Sequence, residues 1–340
     1  MKKLKIMFAG SPAFVFPVLE FLAKESDLLA VMTNAPTKTG RGKKLLPSPL
    51  FACLEDFLQT DKSCKALSKA EIIEVEKIDD EVLQKVKKLN CDLLVCYAFG
   101  KFFPPEFLAL FPYGGINIHP SILPRWRGAS PVQSAILAGD KITGVSIQTL
   151  ANKMDSGKIL ARAKYALDDT KTAGEVLDSL TEKAIPLLRS ILADIEKAFA
   201  ESQEQNEAEA SYCTKIKREK INWSKSALEI AREILALNPS PKAFSEVAGE
   251  RITLLEAKAL NFSSLSDNTS PDNLTTESFA PLEKKQKIGK IVGKDKKNGI
   301  LVQTGNGILA IQKLQRQGKK ELFWKDFLNG YKNFLDLCFE

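Results

Sequence analysis

Apolar residues in the first part of the chain fall into short runs at 4–9, 28–33, 72–75, 93–99, 116–118 and 145–150. Runs of this length predict strands buried on both faces, and the spaced apolar positions at 13–24, 80–89 and 132–138 predict amphipathic helices between them. Alternation of that kind builds a mostly parallel, Rossmann-like α/β sheet. A long amphipathic pattern at 173–200 closes the region.

The pattern then changes. Residues 201–210 are acidic and polar and carry no bulky apolar side chain, the composition of a linker. Beyond them, 226–237 has helical spacing. After Pro239 and Pro241 the period becomes that of strands, at 251–260, 287–292, 300–304 and 308–314. Asn298-Gly299 and Gly305-Asn306-Gly307 supply turns between them, and a small antiparallel barrel of OB type fits the spacing. The stretch 263–281, rich in Ser, Thr, Asn and Asp, is expected as a disordered insertion. The expected organisation is an α/β domain over 1–200, a linker over 201–212, and a smaller OB-like β-barrel domain over 213–340.

Composition mainly removes possibilities. At 340 residues, 44% hydrophobic and 27% charged, the chain is globular and long enough for two domains. It has a single histidine, and none of its six cysteines forms a C-x-x-C pair, so no zinc site is expected. The cysteines read as free thiols of a reducing compartment. Gly10-Ser11-Pro12 interrupts the first apolar run, and Glu20 and Lys24 follow, which argues against a signal peptide. No stretch suits a bilayer, so a cytoplasmic protein without membrane attachment is expected. Gly10 also lacks the G-x-x-G continuation of a dinucleotide fingerprint, which disfavours a nicotinamide-dependent dehydrogenase.

Charge is unevenly placed. Of the net +7, the segment 284–325 holds twelve basic against two acidic residues, +10, while the other 298 residues sum to −3. A basic β-module on a slightly acidic body is the footprint of a polyanion binder, although a solvated, solubilising face has the same composition. A second basic spot, Gly40-Arg41-Gly42-Lys43-Lys44, is either a loop able to reach a phosphate backbone or an exposed turn.

The one histidine stands in Gly115-Ile116-Asn117-Ile118-His119-Pro120. Alternation along a strand puts Asn117 and His119 on the same face at its C-terminal end, where open α/β sheets bind ligands, and Pro120 ends the pairing. An amide donor beside an imidazole suits stabilisation of an oxyanion with proton transfer near neutral pH; a lone histidine equally serves as a structural hydrogen-bonder. Asp155, in the loop after the strand at 145–150, is the carboxylate placed to orient the ring.

The stretch Asn117-Ile118-His119-Pro120-Ser121-Ile122-Leu123-Pro124, continued by Arg125-Trp126-Arg127-Gly128 and later Met154-Asp155-Ser156-Gly157, closely resembles the folate-dependent formyltransferases. Residues 6–14, 40–49 and 212–223 extend the resemblance over essentially the whole chain. It implies that Asn117, His119 and Asp155 are catalytic and that Ser121, Ile122, Leu123 and Pro124 line the folate pocket. It further implies that Arg41, Lys43 and Lys44 enter the acceptor end of a tRNA. The reaction implied is transfer of a formyl group from 10-formyltetrahydrofolate to the α-amino group of methionine on initiator tRNA, by a monomer without a metal. A relative acting on a small acceptor, a formylfolate hydrolase, or a non-catalytic RNA-binding protein are the competing readings. Two departures stand out: Asn238-Pro239-Ser240-Pro241-Lys242 replaces the family's N-P-W-P-G, and the insertion at 263–281 is long.

Overall fold

A computed structural model of the chain describes residues 3–39, 44–60, 64–260, 287–331 and 333–340. The expected insertion at 263–281 lies outside the described residues. The chain divides into two compact units. The first comprises Met1–Pro131, Ile142–Ala166 and Leu177–Thr214, and the second comprises Val132–Lys141, Leu167–Val176 and Lys215–Glu340.

The first unit is built on β1 (Lys5–Gly10), β2 (Asp27–Asn34), a hairpin of β3 (Thr37–Thr39) and β4 (Lys44–Leu46), β5 (Glu71–Val75), β6 (Leu93–Tyr97) and β7 (Gly115–His119). It continues with β8 (Arg127–Gly128), β9 (Ile142–Thr149), β10 (Ile159–Ala166) and β11 (Tyr212–Cys213). Seven strands form one sheet in the order β10-β9-β7-β6-β1-β2-β5. The pairs from β5 to β7 are parallel, and β9 and β10 add an antiparallel edge. The apolar runs do form the central strands: every residue of β6 is buried. Gly10 ends β1 where a Cβ would lie 2.9 Å from the Tyr97 carbonyl oxygen, so only glycine lets the chain turn there. The helix Asp80–Leu89 starts at Asp79, whose carboxylate accepts from Val82 N at 3.2 Å, and stops at Asn90 in the left-handed region.

The long helical pattern at 173–200 is two helices, Ala173–Ala193 and Ile195–Ala200. Asp194 breaks it by capping the second, accepting from Lys197 N at 3.1 Å. The helix Pro49–Thr60 and the edge strand β10 were not anticipated from the sequence.

The second unit contains the helix Ala227–Ala236, which opens on a reciprocal capping box between Ser226 and Glu229. Its sheet comprises β12 (Ala243–Val247), β13 (Glu250–Leu260), β14 (Ile291–Asp295), β15 (Gly299–Gln303), β16 (Ile308–Arg316) and β17 (Glu321–Phe323), all joined by antiparallel pairing. Residues near the C-terminus bridge its two sides, Phe339 to Val247 and Cys338 to Lys290. This brings the sheet towards the barrel the turn spacing implied. The strand expected at 287–292 begins four residues later, because 287–290 is a turn with Gly289 at φ 80°. There a Cβ would sit 2.3 Å from the Phe339 carbonyl oxygen. Trp223 stacks on Phe339 at 4.8 Å and donates to Ser245 Oγ at 2.9 Å, anchoring the core. Lys242 stands where the family pattern has glycine; it takes φ 69°, a left-handed conformation, and pairs with Glu321 at 2.7 Å.

Candidate active site

Pairing between β7 and β9 decides what surrounds the histidine. Asn117 lies opposite Gln148, and His119 opposite Ser146. Residues opposite each other in an antiparallel pair share a sheet face, so four polar side chains sit together on an otherwise apolar sheet. His119 is 4% exposed.

The chain after β7 is held by its backbone. Ser121, fully buried, donates its hydroxyl to the Arg125 carbonyl at 2.7 Å. Ser146 Oγ donates to the Ser121 carbonyl at 2.7 Å and accepts from Leu123 N at 3.1 Å, while Arg162 donates to the Leu123 carbonyl at 3.0 Å. Leu123 is buried, and Ile122 and Pro124 are half-buried. At Trp126 the backbone takes φ 61°, and His119 Nε2 donates to its carbonyl oxygen at 2.9 Å. A carbonyl oxygen can only accept, so this nitrogen carries the proton. Gly128, at φ 114°, is obligatory, since a Cβ would lie 2.1 Å from the Cys213 carbonyl oxygen across the β8–β11 pair.

Asp155 joins the cluster from the β9–β10 loop. Its Oδ1 lies 3.6 Å from His119 Nδ1 and accepts from Gln148 Nε2 at 3.1 Å and Asn117 Nδ2 at 3.4 Å. Its Oδ2 accepts from Gly128 N at 2.8 Å. The structure thus brings together Asn117, His119 and Asp155, with 121–124 following directly in chain. An imidazole with a carboxylate at one nitrogen and an amide donor alongside can handle a proton and stabilise an oxygen that becomes negative. The Cys96 thiol, in register beside Asn117, is pushed up to about 12 by burial, so it is not a thiolate nucleophile near neutral pH.

Lys44 is exposed at the start of β4, paired across the hairpin with Thr39. Arg41 and Lys43 lie outside the described residues. In the second unit, Lys294, Lys296, Lys297, Lys319, Lys320 and Lys325 of the basic run are exposed. Among the described residues no group of His, Cys, Asp and Glu is arranged to hold a metal ion, and no helix is long and apolar enough to cross a membrane.

Sequence reasoning missed Gln148, Ser146, Gly128 and the group that holds Asp155 from behind, Arg127, Gln205 and Glu207. Ser146 and Gln148 did leave a signal, two polar residues at alternate positions in a β-prone run. Arg127 is 1% exposed, and its guanidinium pairs with Glu207 at 2.6 Å and with Gln205 Oε1 at 2.9 Å. The Arg127 guanidinium holds the Glu207 carboxyl below its ordinary range.

Comparison with known families places the chain: the formyl transferase family matches residues 2–192, and the family's C-terminal domain matches 215–332. A protein from Treponema denticola named methionyl-tRNA formyltransferase is 44% identical over 99% of this chain and all of its own length. One of the same name from Coxiella burnetii is 37% identical over 96% of both. The chain belongs to the methionyl-tRNA formyltransferase family. Among solved structures, HypX from Aquifex aeolicus in complex with tetrahydrofolic acid shares the fold, with a TM-score of 0.62 at 15% identity over 98% of this chain. This chain spans about half of that longer protein, 48%.

Proposed function

We propose that the protein transfers a formyl group from 10-formyltetrahydrofolate to the α-amino group of methionine carried on initiator tRNA. The observation that carries this reading is the cluster of Asn117, His119 and Asp155 at the C-terminal end of β7, in a chain whose full-length relatives bear that enzyme's name. The amine of the methionyl ester attacks the formyl carbon and forms a tetrahedral oxyanion. Asn117 and the protonated ring of His119 stabilise that oxygen, and Asp155 keeps the ring oriented. The intermediate then collapses: the bond from carbon to N10 of the folate breaks, the new amide forms, and the proton lost by the amine ends on N10. The nucleophile belongs to the substrate, so no activated Ser or Cys is required.

Residues 121–124 serve as the folate-lining segment in this reading. Arg41, Lys43 and Lys44 with the exposed lysines of the second unit serve as the tRNA contacts, so residues 1–200 hold the catalytic three and one basic loop, and 213–340 the larger polyanion surface. The reaction takes place in the cytoplasm and needs neither a metal nor a second copy of the chain. A formylation assay with charged initiator and elongator methionine tRNAs tests the proposal. Between 50 and 200 mM salt, affinity for the tRNA should fall by roughly one hundred- to five hundredfold if about five phosphates are contacted. Formylation of a small amine acceptor with no salt dependence, and none of charged tRNA, would overturn it.

A further inference from the structure

Hydrogen bonds behind Asp155 run in one direction, and the direction is fixed by chemistry. Arg127 can only donate, so the Gln205 atom that meets its Nε at 3.1 Å and its second terminal nitrogen at 2.9 Å must be the amide oxygen. The Gln205 amide nitrogen therefore points the other way, at three acceptors: the Asp155 carbonyl at 2.9 Å, the Gly157 carbonyl at 2.7 Å and Gln148 Oε1 at 3.0 Å. With its oxygen taken, Gln148 turns its own NH2 towards the Asp155 carboxylate, at 3.1 Å. Polarity set by the Glu207–Arg127 pair thus passes through two amides to Asp155. Reversing either amide would set like against like at each contact. The backbone carrying Gln205 is fastened as well, by reciprocal bonds between Gln203 and Ile159 of 2.7 and 2.9 Å.

We propose that Gln205 is a positioning residue for formyl transfer: with Arg127 behind it, it holds both the backbone and the carboxylate of Asp155 in the orientation that serves His119. This rests on the roles given to Asp155 and His119 above. Gln205 acts through Asp155 and Gln148, and its neighbours at 203–210 are otherwise largely exposed.

Gln205→Glu separates this role from that of a structural clip. The substitution preserves volume and strengthens the contact with Arg127, but turns an acceptor towards the acceptors of Asp155, Gly157 and Gln148. A clip predicts near-normal turnover. A positioning role predicts that kcat falls about tenfold or more above neutral pH, with KM for both substrates changed less than about threefold. Because a protonated carboxyl regains a donor, the deficit should shrink as pH is lowered. Gln205→Met removes both ends of the amide and should show the kcat loss without the pH recovery, with folding verified by thermal unfolding. A second readout needs no substrate. The chain has one histidine, so in the tag-free protein the single imidazole Cε1–H resonance belongs to His119 and should move in Gln205→Glu at constant pH. Turnover within about twofold of the parent in both folded variants, with that resonance unmoved, overturns the proposal. A parent protein that fails to formylate charged tRNA sinks the functional reading instead, and the resonance still decides whether Gln205 controls the His119 environment.

Discussion

Replacing Asp155 by asparagine keeps the shape of the side chain and removes its charge. Two oxygens now face four groups: Gly128 N donates to one at 2.8 Å, Gln148 and Asn117 donate to the other at 3.1 and 3.4 Å, and His119 Nδ1 lies 3.6 Å from that second oxygen. An amide has one oxygen, so whichever way it turns, its NH2 meets donors. Gly128 cannot rotate away and Gln148 is held by Gln205, so the cheaper orientation gives the oxygen to Gly128 and turns NH2 towards His119. The side chains of His119 and Asp155 are only 5% and 13% exposed, so solvent screens their attraction little. At 3.6 Å and an effective dielectric of about 20, a protonated ring and a carboxylate attract by about 4–5 kcal/mol. Part of that is recovered by solvation and rearrangement, which leaves about 3 kcal/mol, or roughly a hundredfold in kcat. The assay is steady-state formylation of charged initiator tRNA by Asp155→Asn, alongside thermal unfolding of the same preparation. A folded variant with kcat within about threefold of the parent, or one impaired only through KM, would refute the electrostatic reasoning.

Ser146→Ala leaves Leu123 N–H and the Ser121 carbonyl without a partner in a fully buried place, at a cost of about 1–3 kcal/mol; KM for the folate should rise more than kcat falls, as substrate titrations would reveal. Burial lifts the thiols of Cys91 and Cys96 from 9.0 to about 12, so near neutral pH both should resist iodoacetamide in the native protein and react in denaturant, scored by mass spectrometry. A raised folded value means that the native state holds these protons longer. Their contribution to stability is therefore full below about pH 9 and is lost as pH rises towards 12, which alkaline unfolding curves would register. In the second unit, Asp169 accepts from Arg232 at 2.8 Å and Lys141 at 3.3 Å, and the guanidinium chiefly holds its carboxyl below the ordinary 3.8. The side chain is 39% exposed, so Asp169→Asn should cost only about 0.5–1 kcal/mol at neutral pH. That difference in unfolding temperature should vanish as pH falls through the folded value, where the parent loses the same interaction.

What the sequence made legible was whatever burial organises. The core strands of the first unit announce themselves because both faces of β6 and β1 are covered, leaving unbroken apolar runs. Asn117 and His119 were legible because strand alternation and Pro120 fix their face and their end. By contrast β10 is an edge strand that is buried only at Ile159 and then runs between half-buried and exposed positions, and its sequence reads as the tail of the Asp155 loop. Gln205 left no trace at all. It sits in an acidic stretch without bulky apolar residues, and its segment is held by hydrogen bonds and an ion pair, which impose no period on the sequence. Arg127 is hidden for the same reason: nothing in Trp126-Arg127-Gly128 says that the guanidinium is buried or whom it faces.

The make-up of the second unit has a practical side. It gathers Val132–Lys141 and Leu167–Val176 together with Lys215–Glu340. Gly174 donates its N–H to the Asn238 carbonyl at 3.1 Å, and a Cβ there would lie 2.7 Å from the Pro239 ring. A gene dissected near residue 214 would therefore strand two short excursions on the wrong fragment, one of them bearing the Asp169 that Arg232 requires. Chimaeras that exchange the C-terminal module between relatives should carry residues 132–141 and 167–176 along with it, as one inherited set.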